Sequence, residues 1–128
     1  MRLWPLAIID KLPRQQLLGQ HRECCALRGK GWGRKHATVD YVFKHPYAWL
    51  YCYHLRVMEE MAMRGYIADS HWYSRTYRGK NLPNAPFTRI GTRIDLNGPI
   101  YPEHDAAYLD ECIENLRRKG VEIERKKK

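Results

Sequence analysis

Arg22 and Glu23 stand side by side in a stretch that reads as a helix, Pro13 to about Arg28, with only a short arm before it. An α-amino group, a carboxylate and a few guanidinium groups suffice for Schiff-base chemistry on a sugar carbon. A free α-amine has a pKa of about 7.7–8.0 against about 10.4 for lysine, so near neutral pH a useful fraction of it is nucleophilic. A carboxylate facing a cleft can move protons and stabilise an iminium cation. An arginine beside it can grip phosphate. With a residue as large as Arg2 in second position, the initiator methionine should be retained. The candidate nucleophile is therefore the amine of Met1 itself and the candidate acid/base is Glu23. Spacing alone favours the plainer reading, a surface Arg-Glu pair on a solvated helix face.

A second cationic element follows the helix. Gly29-Lys30-Gly31-Trp32-Gly33-Arg34-Lys35-His36 alternates glycines with basic side chains around one indole. The glycines break regular structure. Lys30, Arg34, Lys35 and His36 are candidates for phosphate contact and Trp32 for base stacking. The plainer reading is a solvated loop whose tryptophan folds back onto the core.

The elements that would position these groups follow from the pattern of apolar residues. Leu3, Trp4, Leu6, Ile8, Ile9 and Leu12 form an apolar arm in which Pro5 prevents a long regular element. The arm should pack across the core and pin the N-terminus. Pro13 suits the first turn of the first helix and Gly29 suits its end. Gln15, Gly19, Arg22 and Ala26 fall on one face of that helix, with Gln16 and Glu23 beside them. Gly19 costs roughly 1 kcal/mol in a helix interior, a cost explained either by close approach of a ligand or by helix packing. A second helix is expected from Pro46 to Arg64, with Leu50, His54, Val57, Met58 and Met61 as its apolar stripe and His54 as a satisfied core histidine. Residues 67–100 read as loops that interleave Trp72, Tyr73 and Tyr77 with basic residues. A third helix is expected from Pro102 to Lys119, with Glu103 and Asp105 in its first turn and Arg117, Arg118 and Lys119 complementing its C-terminal dipole.

At 128 residues the chain suits one all-α domain, taken as 1–124, followed by a basic and disordered tail at 125–128. Hydrophobic residues make up 44% and charged residues 29%, which argues against a disordered chain. The net charge of +9 falls only to +5 without the four tail cations, so the body itself favours a polyanion. No apolar run reaches the roughly 20 residues that span a bilayer, and the first apolar stretch is too short for a signal peptide. The expectation is a cytoplasmic, monomeric protein with no membrane partner. Cys24, Cys25, Cys52 and Cys112 do not form a CxxC, the histidines form no HExxH, and three of the cysteines fall among apolar residues. Buried reduced thiols are expected, with no metal and no cofactor.

The sequence resembles the pyrimidine-dimer DNA glycosylase family of phage endonuclease V, and a bacterial branch of it most of all. The resemblance is carried by Met1-Arg2-Leu3-Trp4, by Leu12 to Glu23 with its Gln15-Gln16 and Arg22-Glu23, by Arg34-Lys35-His36, by Arg64-Gly65-Tyr66 and by Tyr101-Pro102-Glu103-His104. It is convincing over residues 1–66 and weaker over 101–118. Gln16 stands where the family has a histidine, Ala26 where it has a second arginine, and the family's aromatic C-terminal tail is absent.

The resemblance implies a compact helical enzyme that extrudes a nucleotide from double-stranded DNA. Its terminal amine attacks C1′, releases the damaged base, and leaves an imine whose β-elimination nicks the strand. Carried over, Met1 is the nucleophile and Glu23 the acid/base, while Arg2, Gln15, Gln16 and Arg22 bind DNA. The alternatives are a non-catalytic nucleic-acid-binding protein of the same fold, and a protein-interaction domain whose charge is incidental.

Overall fold

The computed structural model describes residues 2–32, 39–80, 82–83 and 100–123. The expected catalytic Met1, the cations Arg34, Lys35 and His36, and the tail at 125–128 lie outside them. Three α-helices make up the frame: α1 (Arg14–Arg28), α2 (Tyr47–Met63) and α3 (Ala106–Arg118). Three short 3₁₀ helices precede or join them, at Leu6–Lys11, Asp40–Lys44 and Ser70–Tyr73. There is no strand among the described residues, and the all-α expectation holds. No described helix is long and apolar enough to cross a membrane.

The helices stop where local chemistry stops them. Pro13 and Pro46 occupy the N-cap positions of α1 and α2. Gly65 and Gly120 take the left-handed conformation, with φ of 84° and 86°. Tyr66 N–H then donates to Met61 C=O and Val121 N–H to Leu116 C=O, the six-to-one closure of a Schellman turn. Gly29 ends α1 for a different reason: a Cβ there would lie 3.1 Å from the Arg78 carbonyl and 3.2 Å from that of Cys25.

The expected start of α3 at Pro102 needs correction. The helix begins at Ala106, because the Asp105 carboxylate accepts from the Tyr108 N–H and makes Asp105 the N-cap rather than a first-turn residue. Residues 101–104 form a separate turn closed by the His104 N–H on the Tyr101 carbonyl.

The core is built mainly from the arm, α1 and α2. Leu3, Leu17, Leu27, Leu50, Tyr53 and Val57 have no exposed surface, and Cys112 and Leu116 bring α3 onto the same cluster. Cys24, Cys52 and Cys112 are buried, Cys25 is half-buried, and all four are unpaired thiols. Arg64 follows α2 and donates to the carbonyls of Ile9, Asp10 and Leu12, which fixes the entry into α1.

Candidate active site

The apolar arm is held by its backbone as well as by its side chains. Gln20, on the inner side of α1, is 1% exposed and uses its whole amide. Its Oε1 accepts from the Trp4 N–H at 2.7 Å and from the Tyr53 hydroxyl at 2.8 Å. Its Nε2 donates to the Arg2 carbonyl at 3.0 Å and to Glu23 Oε2 at 3.1 Å. The single Tyr53 hydroxyl proton is shared between Gln20 Oε1 and the Trp4 carbonyl, and Tyr108 of α3 donates to the Leu3 carbonyl. The Arg2 guanidinium reaches α3, 3.4 Å from Glu111, and lies within 6 Å of the Trp4 and Tyr108 ring centres. Residues 2–4 are thereby fixed in three dimensions relative to α1.

Glu23 sits where this clamp ends. Its carboxylate accepts from the Arg2 backbone N–H as well as from Gln20. Partial burial pushes its pKa up, and this outweighs the opposing effect of those two donors. A carboxylate whose pKa is raised is a stronger base than an ordinary surface carboxylate. Around it opens a cleft of about 400 Å³ lined by Arg2, Gln15, Gln16, Gly19, Arg22 and Glu23, with Trp4 and Gln20 behind and Asn115 and Lys119 contributed by the end of α3. Asn115 Oδ1 is buried and has no hydrogen-bond donor among the described residues.

The structure therefore gathers five of the expected site residues, Arg2, Gln15, Gln16, Arg22 and Glu23, around one opening. Ala26, on the same face by spacing, does not line it. Lys30 is exposed beyond the end of α1 and Trp32 is turned inward, its ring edge-on to Phe43 and Tyr47 at about 5 Å. Neither lines the cleft.

Sequence reasoning missed Gln20, Tyr53, Tyr108, Asn115 and Lys119. Gln20 carried a weak signal, a glutamine one turn before Glu23. The α3 residues carried none, because only the tertiary fold brings that helix to α1.

A second cluster lies further along α1. His21 and Cys25, one turn apart, meet His54 of α2, with ligand atoms all within 4.8 Å of one another. Spacing rules for metal motifs do not see such a set, since it is split between two helices. Arg28 decides its protonation. A guanidinium can only donate, so Arg28 Nη1, 2.9 Å away, requires His54 Nδ1 to accept. The proton of the neutral ring then sits on Nε2 and donates to His21 Nδ1 at 2.8 Å. A metal at this point would need the same Nε2 lone pair, so the cluster is a hydrogen-bonded relay in this state rather than a ready ligand set. Burial, with Arg28 nearby, lowers the His54 pKa to about 2, and burial pushes the Cys25 thiol up to about 12 against the opposing pull of Arg28.

No curated protein and no solved structure matches the chain. Residues 1–74 match the family described as pyrimidine dimer DNA glycosylase. That span holds the arm, all of α1 and α2, and every cleft residue except the two from α3. The chain belongs to the pyrimidine dimer DNA glycosylase family, enzymes of DNA repair that act on DNA.

Proposed function

We propose that the cleft at Glu23 carries out both base removal and strand nicking, through an imine formed by the amine of Met1. That amine stands three covalent bonds upstream of the Arg2 nitrogen. It attacks C1′ of a damaged nucleotide extruded from the duplex, forming the N–C1′ bond as the base departs. The sugar ring opens to a protonated imine. Glu23, as carboxylate, removes a C2′ proton, and the electron pair expels the 3′-phosphate by β-elimination. Its raised pKa makes the carboxylate a stronger base for that proton. Arg2, Gln15, Gln16 and Arg22 hold the flanking sugar-phosphate. Lys30, Arg34, Lys35 and His36 extend the contact along the backbone, while Trp32 stays packed on Phe43 and Tyr47. A pyrimidine dimer is the lesion, a single copy of the chain suffices, and no metal is needed because amine and carboxylate supply both nucleophile and proton transfer.

The observation that carries this reading is the Arg2 N–H on the Glu23 carboxylate, with Gln20 bonded to both residues. The test uses a duplex with one abasic site. Glu23→Gln should lower nicking at least 100-fold, and a chelator should leave the wild-type rate unchanged. Nicking that survives in Glu23→Gln would overturn the assignment. Salt-sensitive binding with no nicking and no borohydride-trapped adduct would make the chain a DNA-binding member without catalysis.

A further inference from the structure

The last turn of α3 carries three cations in a row, and the fold sorts them. Arg117 donates to both oxygens of Glu114, at 2.8 and 2.6 Å, and Arg118 lies 3.5 Å from the same carboxylate. Those two are held on the surface of their own helix. Lys119, the C-cap, joins no salt bridge among the described residues and turns the other way. Its Nζ stands 5.7 Å from the centre of the Trp4 ring, its charge acts on the Glu23 carboxylate, and it is the one lysine among the described residues lining the cleft. The arm that Gln20 pins therefore has a primary amine on its far side as well as at its start.

We propose that Lys119 is a second imine-forming amine of this cleft, able to capture an abasic sugar when the terminal amine is blocked. The inference rests on the function proposed above. The unprotonated Nζ attacks C1′ of the open-chain aldehyde, and a carbinolamine forms. Glu23 relays the proton lost from nitrogen to the oxygen, and a second proton, taken up from solvent through the same carboxyl, lets that hydroxyl leave as water. The product is a protonated imine, with no change in oxidation state. Borohydride then delivers hydride to the imine carbon and fixes the adduct as a secondary amine.

The experiment is reductive trapping on a duplex with one abasic site, using the full chain, the same chain with two residues added before Met1 and its new terminus acetylated, and that extended chain carrying Lys119→Arg. Arginine keeps the charge and cannot form this imine. A lysine amine is far more protonated than an α-amine near neutral pH. The extended chain should therefore trap on the order of 100-fold more slowly than the full chain, with the modified peptide containing Lys119. Lys119→Arg should remove that residual adduct while circular dichroism still shows the helices. An extended chain that traps nothing, or that traps through another lysine, overturns the inference and leaves the Met1 chemistry intact. A full chain that traps nothing overturns both.

Discussion

The middle and the last turn of α1 hold polar groups in opposite ways. Toward its C-terminus, Arg28 has no exposed surface, and its donors go to the Tyr47 hydroxyl, His54 Nδ1 and the carbonyls of Trp72, Ser74 and Tyr77. The Tyr51 and Trp72 rings lie within about 5 Å of its guanidinium carbon. Every valence is spent on the protein, and the result is a strap binding residues 72–77 to α1 and α2. In its middle, Gln20 is just as fully used, but it delivers Glu23 half-buried, with a raised pKa and an open cleft beside it. The last turn of the helix turns a buried charge into rigidity. The middle uses a buried amide to keep a reactive group available.

The sharpest way to break this contrast is to remove the buried cation. Arg28→Met would leave three backbone carbonyls that no substitution can replace, so the usual relief from deleting a buried ion pair does not apply. Stability should fall by about 3–5 kcal/mol, read from the urea midpoint. Glu23 has no comparable structural role, and Glu23→Gln should leave that midpoint unchanged or raise it.

Gln20→Leu probes the middle of the helix, beside the cleft. It strands the Trp4 N–H and the Arg2 carbonyl, leaves Tyr53 on the Trp4 carbonyl alone, and should cost about 2–3 kcal/mol. Unlike Arg28→Met, it should also lower nicking in the molecules that remain folded, because residues 2–4 lose their register with Glu23. Equal loss of activity per folded molecule in the two variants would erase the distinction.

Acid should separate the two regions by sign. His54 is held neutral, with its pKa lowered to about 2 against about 6.5 in the unfolded chain. Below pH 6.5 the unfolded chain takes up a proton that the folded one refuses, so stability falls as pH falls, by about 2 kcal/mol at pH 5. Glu23, with its pKa raised, works the other way: its burial costs stability at neutral pH, and protonation relieves that cost. His54→Gln should flatten the acid loss, and Glu23→Gln should steepen it slightly, both measured as urea midpoints between pH 7 and 5.

The smallest effect belongs to Gly19. A Cβ there would meet only Arg22 Nη2, at 3.7 Å, an ordinary contact, so packing within the protein does not demand glycine. Gly19→Ala should raise stability by up to about 1 kcal/mol. If the helix face must admit a nucleotide closely, the same change should slow excision while leaving the melt sharper and higher.

What the sequence made legible was local. Proline before and glycine after each long helix set the bounds of α1 and α2, and the i, i+4, i+7 pattern put Gln15, Gly19 and Arg22 on one face with Glu23 beside them. α3 was misplaced at its start because Asp105 acts through its side chain on Tyr108, and an acidic residue near a proline reads equally well as a first-turn residue. The clamp was hidden because a buried glutamine has no periodic signature. The relay from Arg28 through His54 to His21 was hidden because it joins residues 26 and 33 positions apart. Lys119 was read with Arg117 and Arg118 as a helix-end charge, and only the position of Trp4 shows that it faces elsewhere.

The measurement that bears most directly on the central claim is peptide mapping of the adduct that the unmodified protein forms with an abasic duplex under borohydride. The account requires the deoxyribose remnant on the N-terminal peptide, attached to the nitrogen of Met1. An adduct found instead on an internal lysine of the unmodified chain, with the N-terminal peptide recovered unchanged, would contradict it.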